Sequence, residues 1–154
     1  TEKGLCYVSA SKSSKSHFKA ELKNKFGEVE FVDDNITAKN PINQRTYKEL
    51  ELYFDNKLKQ FSMPLDLRGT DFQMKVWNEL LKVPYGETRS YKDIAEALGN
   101  PKASRAVGGA NHRNPVAIIV PCHRVIGHNG SLGGYGGGLS LKLFLLKLEG
   151  AYTK

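Results

Sequence analysis

The sequence predicts an α+β protein built from two parts, and three observations carry this prediction. Short β-type runs and one helix occupy residues 1–63, amphipathic helices dominate residues 64–154, and the pattern changes at Met63-Pro64. We therefore predict a small N-terminal α/β domain over residues 1–63 and a C-terminal domain over residues 64–154. The 154 residues, of which 40% are hydrophobic, suffice for a buried core.

In the first part, the β-type runs are residues 5–10 and 29–32, and a helix is predicted over residues 43–61. Apolar side chains follow this helix at spacings of three or four, which predicts one buried face. The face consists of Tyr47, Leu50, Phe54, Leu58 and Phe61. Nothing in this part indicates chemistry, and Cys6 in the first run is expected to be inert.

In the second part, Thr70 is predicted to cap a helix that stops before Pro84. Ser90 caps a second helix over residues 91–98, and Pro101 begins a third that ends near residue 111. Two short helices joined by a glycine turn indicate a helix-turn-helix, although helix hairpins without a DNA role share this pattern.

Residues 116–120 form a continuous apolar run closed by Pro121, which predicts a buried strand leading into a turn. A glycine-rich segment over residues 127–138 follows, and then a final helix. The side chains expected near its buried side are Leu139, Leu143, Leu146 and Leu148.

The basic balance of the chain bears on its partners. Lys and Arg number 23 against 16 Asp and Glu, a net charge of +7. This favours a polyanion such as nucleic acid, although a basic surface that only maintains solubility explains it equally well. No apolar run reaches the ~18 residues that span a bilayer, and residues 1–10 lack a signal pattern. We therefore expect a cytoplasmic protein with no membrane partner.

Directly after the apolar run comes Pro121-Cys122-His123-Arg124. A cysteine becomes a nucleophile when a neighbour stabilises its thiolate or accepts its proton, and His123 is the candidate here. Adjacent side chains of a strand point to opposite faces, but a turn at Pro121 is able to bring the pair together. The alternative is a small buried thiol beside a surface histidine.

A longer pattern favours the reactive cysteine. Residues 114–127 read NPVAIIVPCHRVIG, preceded by Ser90-Tyr91 and by ASRAVGGA at 103–110, and followed by GGYGGGL at 133–139. This arrangement resembles the O6-alkylguanine-DNA alkyltransferase family over residues 64–151, and more loosely before them. The resemblance implies a ribonuclease H-like first domain and a winged-helix-like second one.

The resemblance also implies a reaction. The alkyl group of O6-alkylguanine in double-stranded DNA moves irreversibly to one cysteine, once per protein molecule and without a cofactor. O4-alkylthymine stays open as a second substrate. The expected partner is duplex DNA containing alkylated bases, bound by a monomer.

The resemblance assigns roles to individual residues. Cys122 matches the alkyl acceptor, His123 the base that takes its proton through a water, and Glu149 the carboxylate that orients the histidine. Tyr91 matches the tyrosine that hydrogen-bonds guanine N3, where it offsets charge on the leaving group. Asn114 matches the residue that links the recognition helix to the active-site turn.

For DNA binding, Arg105 matches the arginine that enters the duplex where the damaged nucleotide rotates out. The remaining DNA-binding candidates are Ala106, Gly108, Gly109 and Arg124. The expected substrate-pocket residues are Asn111, Val125, Tyr135 and Gly136. Tyr135 is expected to stack near the base and the backbone around Gly136 to approach O6. Gly136 replaces a serine of some relatives, so this chain lacks that hydroxyl.

Some relatives bind zinc in the first domain, where this chain offers only Cys6 and His17, so we predict no metal site. Three alternatives remain. A cysteine hydrolase would turn over, a damage-binding module would lack transfer activity, and a structural winged-helix protein would be indifferent to Cys122→Ala.

Overall fold

The computed structural model describes residues 1–10, 15–31 and 39–152. It divides into two compact units, Thr1–Cys6 with Lys12–Arg68 and Tyr7–Ser11 with Gly69–Lys154. Helices and a small sheet give the mixed α and β content expected from the sequence. Over the three described ranges, no helix is long and apolar enough to cross a membrane.

In the first unit the described residues form two helices, α1 (Lys15–Phe26) and α2 (Pro41–Phe54). The sequence did not predict α1. Helix α2 begins where Asn40 Oδ1 accepts hydrogen bonds from the amides of Ile42 and Asn43, at 2.9 and 3.2 Å. Its end at Phe54 makes the predicted range of 43–61 wrong, because Asp55 leaves the helical conformation and Asn56 turns to a φ of 57°.

The predicted buried face is wrong for its two most exposed members, while Leu50, Leu58 and Phe61 are half-buried. Tyr47 is 68% exposed and Phe54 40%, whereas the buried side chains of the helix are Thr46, Glu49 and Tyr53. Burial of Glu49 is possible because Arg45 Nε and the Ser62 amide donate to its carboxylate at 2.9 and 2.8 Å. These bonds hold the pKa of Glu49 below its usual value against the opposing effect of burial.

The β-type runs of the first part form no regular strand. Leu5 makes a single parallel bridge to Leu65, and residues 29–31 lie outside any strand. Val32 lies outside the described residues. Cys6 carries a free thiol and is half-buried.

The second unit begins with α3 (Asp71–Leu80), where Thr70 and Gln73 form the reciprocal bonds of a capping box. Ser90 and Asp93 do the same for α4 (Tyr91–Ala97). A short 3-10 turn, Pro101–Ala103, leads into α5 (Ser104–His112). These elements confirm the helices predicted here.

Helices α4 and α5 pack together, and Gly99 at a φ of 73° reverses the chain between them. Helix α3 packs against both, and the buried Trp77 Nε1 donates to Ala110 O at 3.0 Å. The N-terminus of α4 joins strand β1 (Arg89–Ser90), which pairs in parallel with β2 (Val125–Ile126). This pairing fixes the start of α4 beside the segment that follows Cys122.

Residues 116–120 are buried apart from half-buried Ala117, but they do not form the predicted strand. They fold into a tight loop in which Val120 N donates to Val116 O at 3.0 Å and Ile118 takes a φ of 73°. The loop also finds a backbone partner in Val8, which forms a parallel bridge to Val116 and accepts from Ala117 N at 3.0 Å, so the apolar segment is buried without forming a regular strand. The turn predicted at Pro121 is confirmed, because Cys122–Arg124 form a 3-10 helix.

The final helix, α6 (Leu139–Leu148), differs from the predicted pattern. Leu139 is 52% exposed and Leu143 and Leu148 are half-buried, so only Leu146 of the predicted set is buried. The fully buried side chains of α6 are Lys142, Leu145 and Leu146. A lysine therefore occupies a core position.

Candidate active site

The Cys122 thiol lies at the start of the 3-10 turn and is 6% exposed. Asn114 Nδ2 donates to Cys122 Sγ at 3.1 Å and to Val120 O at 2.8 Å, while Asn114 Oδ1 accepts from Val116 N at 3.0 Å. The Asn114 side chain, just after α5, thus binds both ends of the loop over residues 116–120 and the thiol that follows it. Burial raises the pKa of the Cys122 thiol, and the Asn114 bond and the positive charge of Lys142 oppose that rise.

His123 and Glu149 form a fully buried pair with 2.9 Å between Nε2 and Oε1. Burial lowers the pKa of His123, against the opposing influence of Glu149, so the imidazole is neutral near pH 7. Because a carboxylate accepts hydrogen bonds, Nε2 of the neutral ring carries the proton and donates to Glu149, and the lone pair lies on Nδ1. Among the described residues Nδ1 has no hydrogen-bond partner. Cys122 and His123 are consecutive residues of the turn, and within the described ranges no hydrogen bond joins their side chains.

Arg124 does not match its predicted contact with DNA. Its side chain is 8% exposed, and Nε and Nη2 donate to the two Glu149 oxygens at 2.8 and 3.0 Å. Nη1 donates to Val83 O at 2.6 Å, and the guanidinium lies 5.8 Å from the Tyr85 ring centroid. The guanidinium is therefore engaged inside the protein, where it fixes the carboxylate that His123 uses.

A cavity of about 460 Å³ opens beside Cys122. It is lined by Tyr91, Ser104, Arg105, Gly108, Asn111, His112, Cys122, Gly134, Tyr135 and Gly136. The predicted Tyr91, Arg105, Gly108, Asn111, Tyr135 and Gly136 are thus brought together around the thiol. Val125, expected in the pocket, is instead fully buried on β2 and outside this lining, because its strand pairs with β1.

The cavity wall carries polar groups without partners among the described residues. Both side-chain polar atoms of Asn111 and the Tyr135 hydroxyl are buried and make no hydrogen bond there. Burial raises the pKa of Tyr135 and of Tyr91, so both phenols stay protonated and able to donate. Buried polar groups are normally satisfied, so these groups favour a polar ligand in the cavity.

We call residues 133–137, which contribute Gly134, Tyr135 and Gly136 to the cavity wall, the lid. Its glycines differ in the space around them. A Cβ on Gly133, at a φ of 65°, would lie 2.8 Å from Tyr91 Oη, and one on Gly137 would lie 3.0 Å from Ala10 O. A Cβ on Gly134 would meet nothing within 4 Å, and one on Gly136 would meet only His112 O at 3.9 Å. A side chain is therefore excluded at Gly133 by Tyr91 and at Gly137 by the Ala10 backbone, but not at Gly134 or Gly136.

Arg105 lines the cavity and is exposed; on the same helix Ala106 is exposed and Gly109 is half-buried, and neither of these two lines the cavity. No ion pair or hydrogen bond engages the Arg105 side chain within the part of the chain that the structure describes. It is therefore available to a partner.

The sequence did not indicate Ser104, His112, Gly134 or Lys142 as site residues. His112 is exposed and lines the cavity. Lys142 shares one face of α6 with Leu145 and Leu146, at spacings of three and four residues, and this was the signal for its burial. The described residues contain no cluster of three His, Cys, Asp or Glu side chains suited to a metal. The His17 side chain lies outside the described part.

Known proteins resemble this chain along most of its length. A family model described as 6-O-methylguanine DNA methyltransferase, DNA binding domain, matches residues 71–151. A methylated-DNA–protein-cysteine methyltransferase of Methanosarcina acetivorans is 51% identical over 150 residues, which cover 97% of this chain and 88% of the relative.

Solved structures agree with these matches. A crystal structure of Mycobacterium tuberculosis OGT in complex with DNA has a TM-score of 0.70 and 57% identity, covering 71% of this chain and 68% of that one. A crystal structure of the Mycobacterium tuberculosis O6-methylguanine methyltransferase has a TM-score of 0.69 and 49% identity, covering 81% of this chain and 78% of that one. The chain therefore belongs to the methylated-DNA–protein-cysteine methyltransferase family.

Proposed function

We propose that this protein repairs duplex DNA by transferring the alkyl group of O6-alkylguanine irreversibly to Cys122, once per molecule. The observation that carries the proposal is a cavity with the Cys122 thiol in its wall, beside a buried His123–Glu149 pair. The names of the relatives, which are methylated-DNA–protein-cysteine methyltransferases, support the same reaction.

The proton path follows from the histidine. His123 Nε2 donates its hydrogen to Glu149, so Nδ1 is the ring nitrogen that is able to accept a proton. A water between Sγ and Nδ1 would carry the thiol proton to His123. The resulting imidazolium is stabilised by the Glu149 carboxylate, which two hydrogen bonds from Arg124 hold in place.

The transfer step then balances without a cofactor. The thiolate attacks the alkyl carbon, an S–C bond forms, and the C–O6 bond breaks with its electron pair passing to guanine. Tyr91, a protonated phenol at the cavity wall, would donate a hydrogen bond to guanine N3 and stabilise the arriving charge. The product is a thioether, whose cleavage would require a thiolate to leave, so the reaction stops at one alkyl group.

Entry of the damaged base requires its rotation out of the duplex. We propose that α5 lies against the DNA, with Arg105 filling the space left by the base and Ala106, Gly108 and Gly109 allowing the backbone to approach. The exposure of Arg105, which lines the cavity, and of Ala106 next to it supports this placement. Asn111, Tyr135 and Gly136 would then face the base. Asn114 would hold the thiol towards its alkyl group.

The finer architecture belongs to the same proposal. We assign residues 1–63 to a ribonuclease H-like domain and residues 64–154 to a winged-helix-like domain, with α4 and α5 as the helix-turn-helix. A monomer suffices, because one chain supplies every residue of the proposed site. Its DNA substrate places the protein in the cytoplasm, at the nucleoid.

The test is an intact-mass measurement after mixing with a duplex that contains one O6-methylguanine. We expect a gain of one CH₂ unit, located on the peptide with Cys122, and a single burst with an amplitude that follows protein concentration. Cys122→Ala should abolish the gain while duplex binding persists, and Cys6→Ala should leave it unchanged. Product that accumulates well beyond the protein present would instead indicate a hydrolase. Binding without any mass gain would indicate a damage-binding module.

A further inference from the structure

Lys142 is a fully buried cation without a carboxylate partner. Its ammonium donates to Val125 O at 2.6 Å and also to Leu132 O. Across the described ranges, no aspartate or glutamate forms an ion pair with it. Because a buried charge is costly unless it is paired, this position requires an explanation beyond packing.

The surroundings of the Lys142 ammonium connect it with the cavity of Cys122. Nζ lies 5.8 Å from the centroid of the Tyr91 ring, and Tyr91 lines the cavity together with Cys122. The charge of Lys142 favours the Cys122 thiolate and disfavours protonation of His123. Burial lowers the pKa of Lys142 to about 8, against the opposing effect of Cys122, so the amine is largely cationic at neutral pH. Titratable groups that bear on Lys142 are therefore Tyr91, Cys122 and His123.

The two carbonyl contacts fix where this charge lies. Val125 immediately follows the Cys122–Arg124 turn, and Leu132 precedes the lid glycines by one residue. A single ammonium therefore ties the chain after the nucleophile to the chain that enters the lid. Removal of the side chain would loosen both segments and also delete a positive charge that favours the thiolate.

We propose that Lys142 is the counter-charge of the Cys122 thiolate, a positioning residue held in place by the Val125 and Leu132 carbonyls. The inference rests on the proposed function for its purpose, but it concerns ionisation of the free thiol and is measurable without DNA. The thiolate is an anion that the proposed reaction creates, in the cavity wall that Cys122 shares with Tyr91, whose ring lies 5.8 Å from this ammonium. Once Cys122 carries an alkyl group the thioether is neutral, and Lys142 loses that partner.

The test uses the full chain with Cys6→Ser, so that Cys122 is the only thiol. Lys142→Met removes the charge and the donors, and Lys142→Gln removes the charge but keeps an N–H donor. Lys147→Met, at an exposed position of the same helix, is the matched control. Thiolate absorbance against pH and the rate of carboxamidomethylation by iodoacetamide are measured without DNA, with circular dichroism to verify folding.

We expect both Lys142 variants to titrate at higher pH and to react about tenfold more slowly at pH 7, the change that one pKa unit produces. The Lys147 variant should match the parent. Unchanged thiolate titration in folded Lys142→Met would overturn the inference, because a purely structural lysine would not alter ionisation of the thiol.

A second measurement avoids variants at Lys142. Titration of the lysine Nζ signals by NMR should show that the pKa of Lys142 is lower after Cys122→Ser than in the Cys6→Ser parent, since the thiolate partner is gone. An equal pKa in both proteins would reject the counter-charge. A shifted thiol titration in a protein that transfers no alkyl group would refute the proposed function and leave this inference intact.

Discussion

Replacement of Asn114 by aspartate separates the amide donor from the shape of the side chain. Aspartate keeps the Oδ1 acceptor for Val116 N but removes the donor that reaches Val120 O at 2.8 Å and Cys122 Sγ at 3.1 Å. A hydrogen bond to a charged group contributes about 1.5–3 kcal/mol, so its loss should reduce the thiolate fraction at pH 7 about 10- to 150-fold. A carboxylate beside the sulfur would reduce it further.

The stability of Asn114→Asp should change less than its reactivity. Loss of the bond to Val120 O should lower the free energy of unfolding by only about 0.5–1.5 kcal/mol, because this carbonyl still accepts from Cys122 N at 2.8 Å. Single-turnover transfer from a methylated duplex gives the rate, and urea titration gives the stability. Asn129→Asp is the control, since Asn129 lies in an exposed turn where Oδ1 alone accepts, from Ser131 N at 3.1 Å. A folded Asn114→Asp protein with the transfer rate of the parent would refute the assigned role.

Three further predictions concern other parts of the site. Arg124→Lys should lower the free energy of unfolding by about 2 kcal/mol, because an ammonium cannot reproduce the forked contact with Glu149, and should leave the salt dependence of duplex binding unchanged. A reduced salt slope would return Arg124 to the DNA surface. Arg105→Ala should slow repair of duplex more than reaction with free O6-methylguanine, and equal slowing would remove its proposed place in the duplex. Burial lowers the pKa of His123 in the folded protein below 6.5, the value of a free imidazole. As the pH falls, the histidine is therefore protonated in the unfolded chain before it is protonated in the folded one, and the free energy of unfolding should decrease below pH 6.5. Urea titrations of the parent, His123→Gln and the exposed-site control His112→Gln should show a shallower fall only in His123→Gln; no difference would contradict the buried neutral imidazole.

Local signals predicted the helices around the site well. Thr70 with Gln73 and Ser90 with Asp93 form capping boxes, which are short-range and legible in the sequence. The turn after Pro121 follows from the same local chemistry. Residues 116–120 were misinterpreted because an apolar run has the same composition in a strand and in a buried loop, and the Asn114 bonds that close this loop are a tertiary feature.

Charged residues were harder to predict than apolar ones. Arg124 and Lys142 were expected at the surface or passed unnoticed, because burial of a cation depends on partners that lie far away in the sequence. Glu149 follows Arg124 by 25 residues, and the Val125 carbonyl lies 17 residues before Lys142. In α2 a distant partner likewise decides which side chain is buried. Bonds from Ser62 and Arg45 allow Glu49 to be buried, while Tyr47 faces solvent.

The unequal space around the lid glycines bears on directed evolution. Side chains at Gly133 and Gly137 would collide with Tyr91 and with the Ala10 backbone, so random substitution at these positions should yield mostly inactive clones. Gly134 and Gly136 have room and ordinary backbone angles, and both line the cavity. A library that varies only this second pair should therefore concentrate its functional members, and selection for larger alkyl substrates should begin there.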